Sequence, residues 1–238
     1  MADCNDDDMT DASAAPARDP RDLEPFTGVV AVLGGTGEQG RGLATRFAAA
    51  GLDVVIGSRD SERAASIAET IGHRARGAAN AAAAAQADVV IVAVPWDGHE
   101  ALVTELASVL AGKIVVDCVN PLGFDKQGAF ALEVAQGSAA QQAQAIASDA
   151  IVVGAFHHVS AALLLDESVE RIDTDIMVVG DDRAATDRVQ ALAALLPGAR
   201  GVYAGRLRNA GQVEALTANL ISANRRYKAH TGVRITDV

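Results

Sequence analysis

The sequence predicts an α/β protein built on a doubly wound parallel sheet, and three observations predict it. Short apolar runs alternate with helix-length runs from Val29 to about Gly154. The first apolar run ends in a glycine-rich turn that opens a helix. The run "ADVVIVAVP" is apolar on both faces, as a central parallel strand covered by helices on each side must be.

Each element has its own signal. "GVVAVLG" reads as a buried strand, and "EQGRGLATRFAAAG" as a helix ended by Gly51. "LDVVIGSR" is a second strand. "DSERAASIAETIG" is a second helix, with Asp60 or Ser61 as its cap and Gly72 as its stop. Ala81 to Ala85 is a short helix, followed by the strand in "ADVVIVAVP" and a helix over 98–110. "KIVVDCV" is a strand, 138–148 a helical stretch and "AIVVGAF" another strand. After His157 the rhythm loosens. "TDIMVVGDD" is a strand, 183–196 a helix and "ARGVYAG" a short strand. Residues 209–226 form a long last helix, with Val213, Leu216, Leu220 and Ile221 at helical spacing. A soft boundary falls near residue 155. It divides the chain into 28–155, a nucleotide-binding domain, and 156–238, a smaller C-terminal domain.

Composition narrows the function classes. The chain has 238 residues, half of them apolar, and a net charge of −11. That charge argues against general binding to nucleic acid or anionic membranes. Residues 1–27 carry eight acids and two arginines and read as an acidic, disordered extension. Cys4 and Cys118 suggest neither a disulfide framework nor a metal motif, and a reducing cytoplasm is the expected compartment. No apolar run approaches the ~18 residues of a membrane span.

Gly35, Gly37 and Gly40 match G-x-G-x-x-G between a strand and a helix. Glycines there let the backbone approach a pyrophosphate, which meets the free N–H groups at the helix N-terminus. The sheet is therefore expected to be Rossmann-like. NAD sites place an acid at the end of the second strand, but this chain has Ser58 and Arg59 there, with Arg63 on the next turn. A hydroxyl and guanidinium groups suit a 2′-phosphate, so NADP is expected rather than NAD. Asp60 is the contrary signal, unless it caps the helix. Solvated surface charge is the plainer reading of the arginines. "VAVPWDGHE" places Val94, Pro95 and Trp96 at the carboxyl edge of the sheet, where an aromatic shields a nucleotide ring or packs under a loop.

These blocks, with "GAFHHVSAALLLDE", "VVGDD" and "LRNAGQVEALT", occur in an order that resembles the NADPH-dependent coenzyme F420 reductases, also called F420:NADP oxidoreductases. The resemblance covers about residues 28–224. It implies a Rossmann-like domain, a smaller C-terminal α/β domain and hydride transfer between NADP(H) and the deazaflavin coenzyme F420 in the cleft between them. It implies that Thr36, Gly37 and Gln39 line the pyrophosphate turn and that Ser58, Arg59 and Arg63 take the 2′-phosphate. By the same resemblance Pro95 and Trp96 border the cofactor, and His157, Val159 and Ala161 lie near the two reacting rings. Thr217 belongs to the deazaflavin side. In that family the last block often reads Asn-x-Arg-x-Val-Glu-Ser-Leu-Thr. Here Gly211 stands for the Arg and Ala215 for the Ser, while Thr217 remains. The family also tends to dimerise.

Direct hydride transfer needs orientation rather than a nucleophile or metal, and no side chain is assigned a catalytic role. His73, His99 and His230 read as scattered. His157 and His158, being adjacent, should point apart. His157 either bonds a ring carbonyl or bonds backbone at a strand end. Arg206 or Arg208 could meet the anionic tail of the deazaflavin, or could be surface charge. Two other functions fit the nucleotide signals. One is an NADP-dependent reductase of a small carbonyl or imine; the other is a non-catalytic NADP(H) sensor.

Overall fold

Glycine and alanine set the spacing of the first half of the chain, in which strand and helix alternate strictly. The computed structural model describes residues 23–238. The first elements are β1 (Val29–Leu33), α1 (Glu38–Ala49), β2 (Asp53–Ser58), α2 (Ser61–Ile71), β3 (Ala75–Ala79) and α3 (Asn80–Ala85). Then come β4 (Val89–Val92), α4 (His99–Leu110) and β5 (Ile114–Asp117). A hairpin, β6 (Leu122–Asp125) and β7 (Gly128–Ala131), precedes α5 (Ala139–Ile146) and β8 (Ile151–Gly154). The remainder is α6 (Ala161–Leu165), β9 (Asp175–Gly180), α7 (Arg183–Ala193), β10 (Arg200–Gly205) and α8 (Ala210–Tyr227).

Eight strands form one sheet in the order β10-β9-β8-β5-β4-β1-β2-β3. The chain winds from β1 to β2 and β3, then returns to β4 on the other side of β1. That reversal is the switch point at which such sheets bind ligands, beyond the carboxyl ends of the strands. All four residues of β4 are buried, so the apolar run lies between two helical layers. One apolar cluster gathers Leu43, Phe47 and Phe156 on one face, and the other gathers Leu102, Leu106 and Val213 on the opposite face.

The sheet runs on through residue 155 without a break. β9 pairs antiparallel with β8, and β10 pairs parallel with β9, so the last two strands run against the other six. Arg46 on α1 secures the segment between β8 and β9. Its guanidinium donates to the carbonyls of Leu163, Leu164, Asp166 and Val169. The C-terminal residues fold back across β9 as a strap. Val233 accepts from Asp175 N–H and donates to the Thr174 hydroxyl. Buried Asp175 accepts from Arg200, Arg234 and the Ile235 N–H, at 2.6–2.8 Å. Burial alone would raise its pKa, but these donors hold it at about 2.

Strand β3, the β6–β7 hairpin and helix α6 have no counterpart in the sequence-based expectations. Strand β3 ("ARGAA") has no β-branched residue, and it forms by pairing along β2. It lies so close to α2 that a Cβ on Gly77 would stand 2.2 Å from the Ala64 carbonyl carbon. The β6–β7 hairpin turns where Asp125 accepts from Gln127 and Gly128 N–H groups. Most of the acidic extension, residues 1–22, lies outside the described residues. Its last part is attached: Phe26 is buried, with the Arg188 guanidinium 5.3 Å above its ring.

Candidate functional site

Two adjoining cavities open at the switch point, and they share Gly37, Ala93, Val94 and Pro95. The outer one, of about 630 Å³, contains Thr36, Ser58, Arg59 and Arg63. The inner one, of about 470 Å³, contains Gln39, Trp96, His157, Val159, Ala161 and Thr217. Every site residue expected from the sequence therefore lines one cavity or both, except Gly40. That glycine works behind the surface: a Cβ there would stand 2.8 Å from the Gly34 carbonyl oxygen.

The turn is shaped for an anion. Gly34 has φ +79°, and a Cβ on it would strike the Ala93 carbonyl oxygen at 2.5 Å, so only glycine joins β1 to the turn beside β4. Gly37 caps α1 without any side-chain bond, which leaves the first N–H groups of the helix facing the turn. Such a cradle fits a pyrophosphate.

The end of β2 resolves the conflict over Asp60. Its Oδ1 accepts from the Glu62 and Arg63 N–H groups as the cap of α2. The Ser58 hydroxyl accepts from the Asp60 N–H at 3.2 Å. The carboxylate is thus engaged with the helix, while the exposed Arg59 and Arg63 face the outer cavity. This arrangement fits a 2′-phosphate better than a free ribose hydroxyl. Asn80, which the sequence reading did not single out, lines the same cavity with its Oδ1 unpaired.

The inner cavity is mixed in character: Val94, Trp96, Val159 and Leu220 share its lining with Gln39, Asn120 and Thr217, and no Lys or Arg is among the described residues lining it. His157 is 3% exposed; neither ring nitrogen has a partner of good hydrogen-bond geometry, and the backbone of Val119 and Cys118 lies close by. Burial lowers its pKa to about 4, so the imidazole is neutral near pH 7. Its carbonyl accepts from Asn120 Nδ2 at 2.8 Å and from the Thr217 hydroxyl at 3.1 Å. A buried ring with both nitrogens unpaired beside a cavity fits a ligand that offers polar ring atoms. His158 does turn away: its Nε2 accepts from the Met177 N–H on β9. That bond needs a neutral ring, and burial likewise lowers this pKa to about 4.

The preceding residue, Phe156, has φ +63°, a rare backbone for an aromatic residue. Two contacts hold it there. Its ring meets Phe47 edge to face at 5.9 Å, and its carbonyl accepts from Gln39 Nε2 at 3.1 Å. Gln39 thus ties the glycine turn to the His157 segment.

Asn120, Asn224 and Thr231 also line the inner cavity, and the sequence reading missed them. Asn120 carried a signal, because it lies just beyond a central strand at the carboxyl edge. Thr231 carried none; the strap brings it there, where its hydroxyl and N–H both bond Asn224 Oδ1. Arg206 and Arg208 line neither cavity, and Arg206 faces Asp181 at 3.9 Å. At Gly211 a Cβ would stand 2.6 Å from the Gly137 carbonyl oxygen, so the segment before α5 occupies the space of a side chain.

His99, read as scattered, is fully buried behind the cavity wall and pairs with Asp117. Nearby Glu214 accepts from the Ala139 and Ala140 N–H groups at the start of α5. Among the described residues no group of three or more His, Cys, Asp or Glu is placed to hold a metal, and no helix is long and apolar enough to cross a membrane.

Comparison with known proteins adds an independent line. Residues 29–121 match the family described as NADP oxidoreductase, coenzyme F420-dependent. The chain is 37% identical over 221 residues to the F420-dependent NADP reductase of Methanothermobacter marburgensis, covering 88% of this chain and 98% of that one. It is 36% identical over 222 residues to the enzyme of the same name from Methanocaldococcus jannaschii, again covering 88% and 98%. A crystal structure of a putative F420-dependent NADP reductase from Arthrobacter superposes with a TM-score of 0.74. It is 30% identical and is matched over 87% of this chain and 98% of that one.

Proposed function

The chain belongs to the F420-dependent NADP oxidoreductases, and on that premise we propose how its two cavities divide the work of moving a hydride between NADP(H) and coenzyme F420. The observation that carries the reading is the junction at Gly37, Val94 and Pro95. There a groove shaped for a phosphorylated dinucleotide opens into a cleft of mixed polarity containing His157.

The outer cavity holds the nucleotide. The turn from Thr36 to Gly40 takes the pyrophosphate, and Ser58, Arg59 and Arg63 take the 2′-phosphate. The inner cavity receives the two reacting rings between Trp96, Val159 and Ala161, with Thr217 on the deazaflavin side. When bound, the coenzymes supply the chemistry, a hydride passing directly from one ring to the other. The protein orients the rings and excludes water. His157, neutral and unpaired, bonds a ring substituent without adding charge. The Gln39 bond to the Phe156 carbonyl keeps that histidine in register with the nucleotide turn.

Residues 156–238 act as the unit that closes the cleft, so the division near residue 155 is one of roles along a continuous sheet. The same reading places the enzyme in the cytoplasm as a homodimer. Exposed Phe124 and Phe130 on the hairpin support an apolar contact between copies, and light scattering of the purified chain tests it. The reaction itself is tested by mixing the protein with NADPH and oxidised F420. Loss of the deazaflavin absorbance is expected. No loss at any pH near neutrality, with NADPH bound, would overturn the proposal in favour of a nucleotide sensor.

A further inference from the structure

His99 lies at the first position of α4, immediately after the turn Trp96–Gly98, and none of it reaches solvent. Its Nε2 stands 2.6 Å from Asp117 Oδ2, and its Nδ1 stands 2.9 Å from Gln142 Oε1. Both partners are oxygen acceptors. On its other side the Gln142 Nε2 makes only a long contact, 3.5 Å, with Gln136 Oε1. With the Gln142 oxygen turned toward the ring, each ring nitrogen faces an acceptor, the pattern that an imidazolium with two ring protons satisfies. Burial opposes the charge, but the bond and charge of Asp117, with Gln142, outweigh it and raise the pKa of His99. The charged groups that face it are Asp117 from β5 and Glu214 from α8.

The cation touches the site through two routes. Its ring stacks on the Trp96 indole, with centroids 5.5 Å apart and planes 28° from parallel. A cation held over an indole at that distance is attracted to it, most strongly when both are desolvated. The second route runs through Asp117, whose Oδ1 accepts from the Val119 N–H at 3.0 Å. Trp96, Val119 and Asn120 all line the inner cavity, and Asn120 in turn holds the His157 carbonyl.

We propose that His99 is a positioning residue for hydride transfer: as a buried imidazolium it sets the plane of Trp96 and, through Asp117, the Val119–Asn120 wall of the same cavity. The proposal rests on the cavity being the hydride-transfer cleft, yet its core is a charge state and a ring plane that can be read without any turnover. His99 itself lines neither cavity. It fixes the walls between which the rings align, and a misplacement of about 1 Å there is enough to slow transfer roughly a hundredfold.

Trp96 is the single tryptophan of the chain, so tryptophan emission reads this residue and its surroundings alone. An imidazolium stacked on indole quenches its emission. The H99Q/D117N double variant replaces the ion pair with two neutral amides and avoids leaving one charge buried alone. In it, Trp96 emission is expected to rise, and the change in that emission on adding NADP to differ from wild type. The rate constant for hydride transfer in a single turnover is expected to fall about tenfold to a hundredfold, with the NADPH Kd little changed. Emission that stays at the wild-type level would overturn the proposal. So would a rate that falls only in proportion to lost NADPH affinity. Should the double variant fail to fold, nitrogen NMR of the wild-type imidazole at pH 7 decides: two protonated ring nitrogens support the proposal and one overturns it. Should the wild type transfer no hydride to F420, the family-based function fails, while the emission and NMR results still judge the role of His99.

Discussion

Asp60 and Asp117 both stand at the carboxyl edge of the sheet, and neither has the job its residue type first suggests. Asp60 sits where a ribose-binding acid would be expected, but its carboxylate is held by the N–H groups that begin α2. The field at the mouth of the outer cavity is then set by Arg59 and Arg63. Replacing Arg59 with alanine is expected to weaken NADPH binding roughly tenfold to a hundredfold, the scale of a charge-assisted bond. NADH binding should change little. Equal losses in the two titrations would remove the 2′-phosphate from Arg59. Asp117 was legible only as the end of a strand, and its partner His99 only as one histidine among several. Eighteen residues separate them, and only the adjacency of β4 and β5 brings them together. Glu214 offers a pH test. Its ordinary pKa of 4.5 is raised by burial, and further by the Asp117 charge, to about 7 against the pull of two N–H donors. Between those values the folded chain keeps a proton that the unfolded chain releases. That stabilisation is complete below pH 4.5 and is lost as the pH rises to about 7. The E214Q variant lacks this slope. Its Tm relative to wild type should therefore move upward across the window, equivalent to at most about 3 kcal/mol. A constant difference would mean that the carboxyl is ionised throughout.

At the scale of elements, legibility followed the source of each element's stability. Strand β4 and helix α2 announce themselves, because β-branched residues and an aspartate cap act locally. Strand β3 does not, because its alanines and glycine form a strand only where β2 supplies a ladder and α2 a close cover. The hairpin after β5 has a readable turn, Asp125 to Gly128, but its strands are only four residues long and carry no β-branched residue. The hairpin and the segment that follows it matter to the site. That segment brings the Gly137 carbonyl against Gly211 on α8. A Gly211→Ala substitution should push the two apart and cost about 1–3 kcal/mol, read as a lower denaturant midpoint. Unchanged stability would show that the segment yields freely.

For the whole molecule, the sequence disclosed the alternating half and the place of the nucleotide. It did not disclose that β9 and β10 reverse direction within the same sheet, since strand polarity leaves no mark on a short apolar run. Nor did it disclose the strap, whose hold on Asp175 depends on side chains far apart in the chain. Deleting residues 229–238 takes Arg234 and the Ile235 N–H from a buried carboxylate and Thr231 from the inner cavity. The deletion should destabilise the fold by roughly 2–4 kcal/mol. It should also raise the KM for F420 while leaving that for NADPH nearly unchanged. A parallel rise in both constants would locate the damage in the sheet instead of the cleft. The contact between Gly211 and Gly137 also bears on descent. Where a backbone carbonyl occupies the space of a side chain, a long residue fits only if the segment that carries the carbonyl moves as well. Relatives that keep a long residue at this position should therefore differ from this chain between β7 and α5 as well, and the two changes should be inherited together.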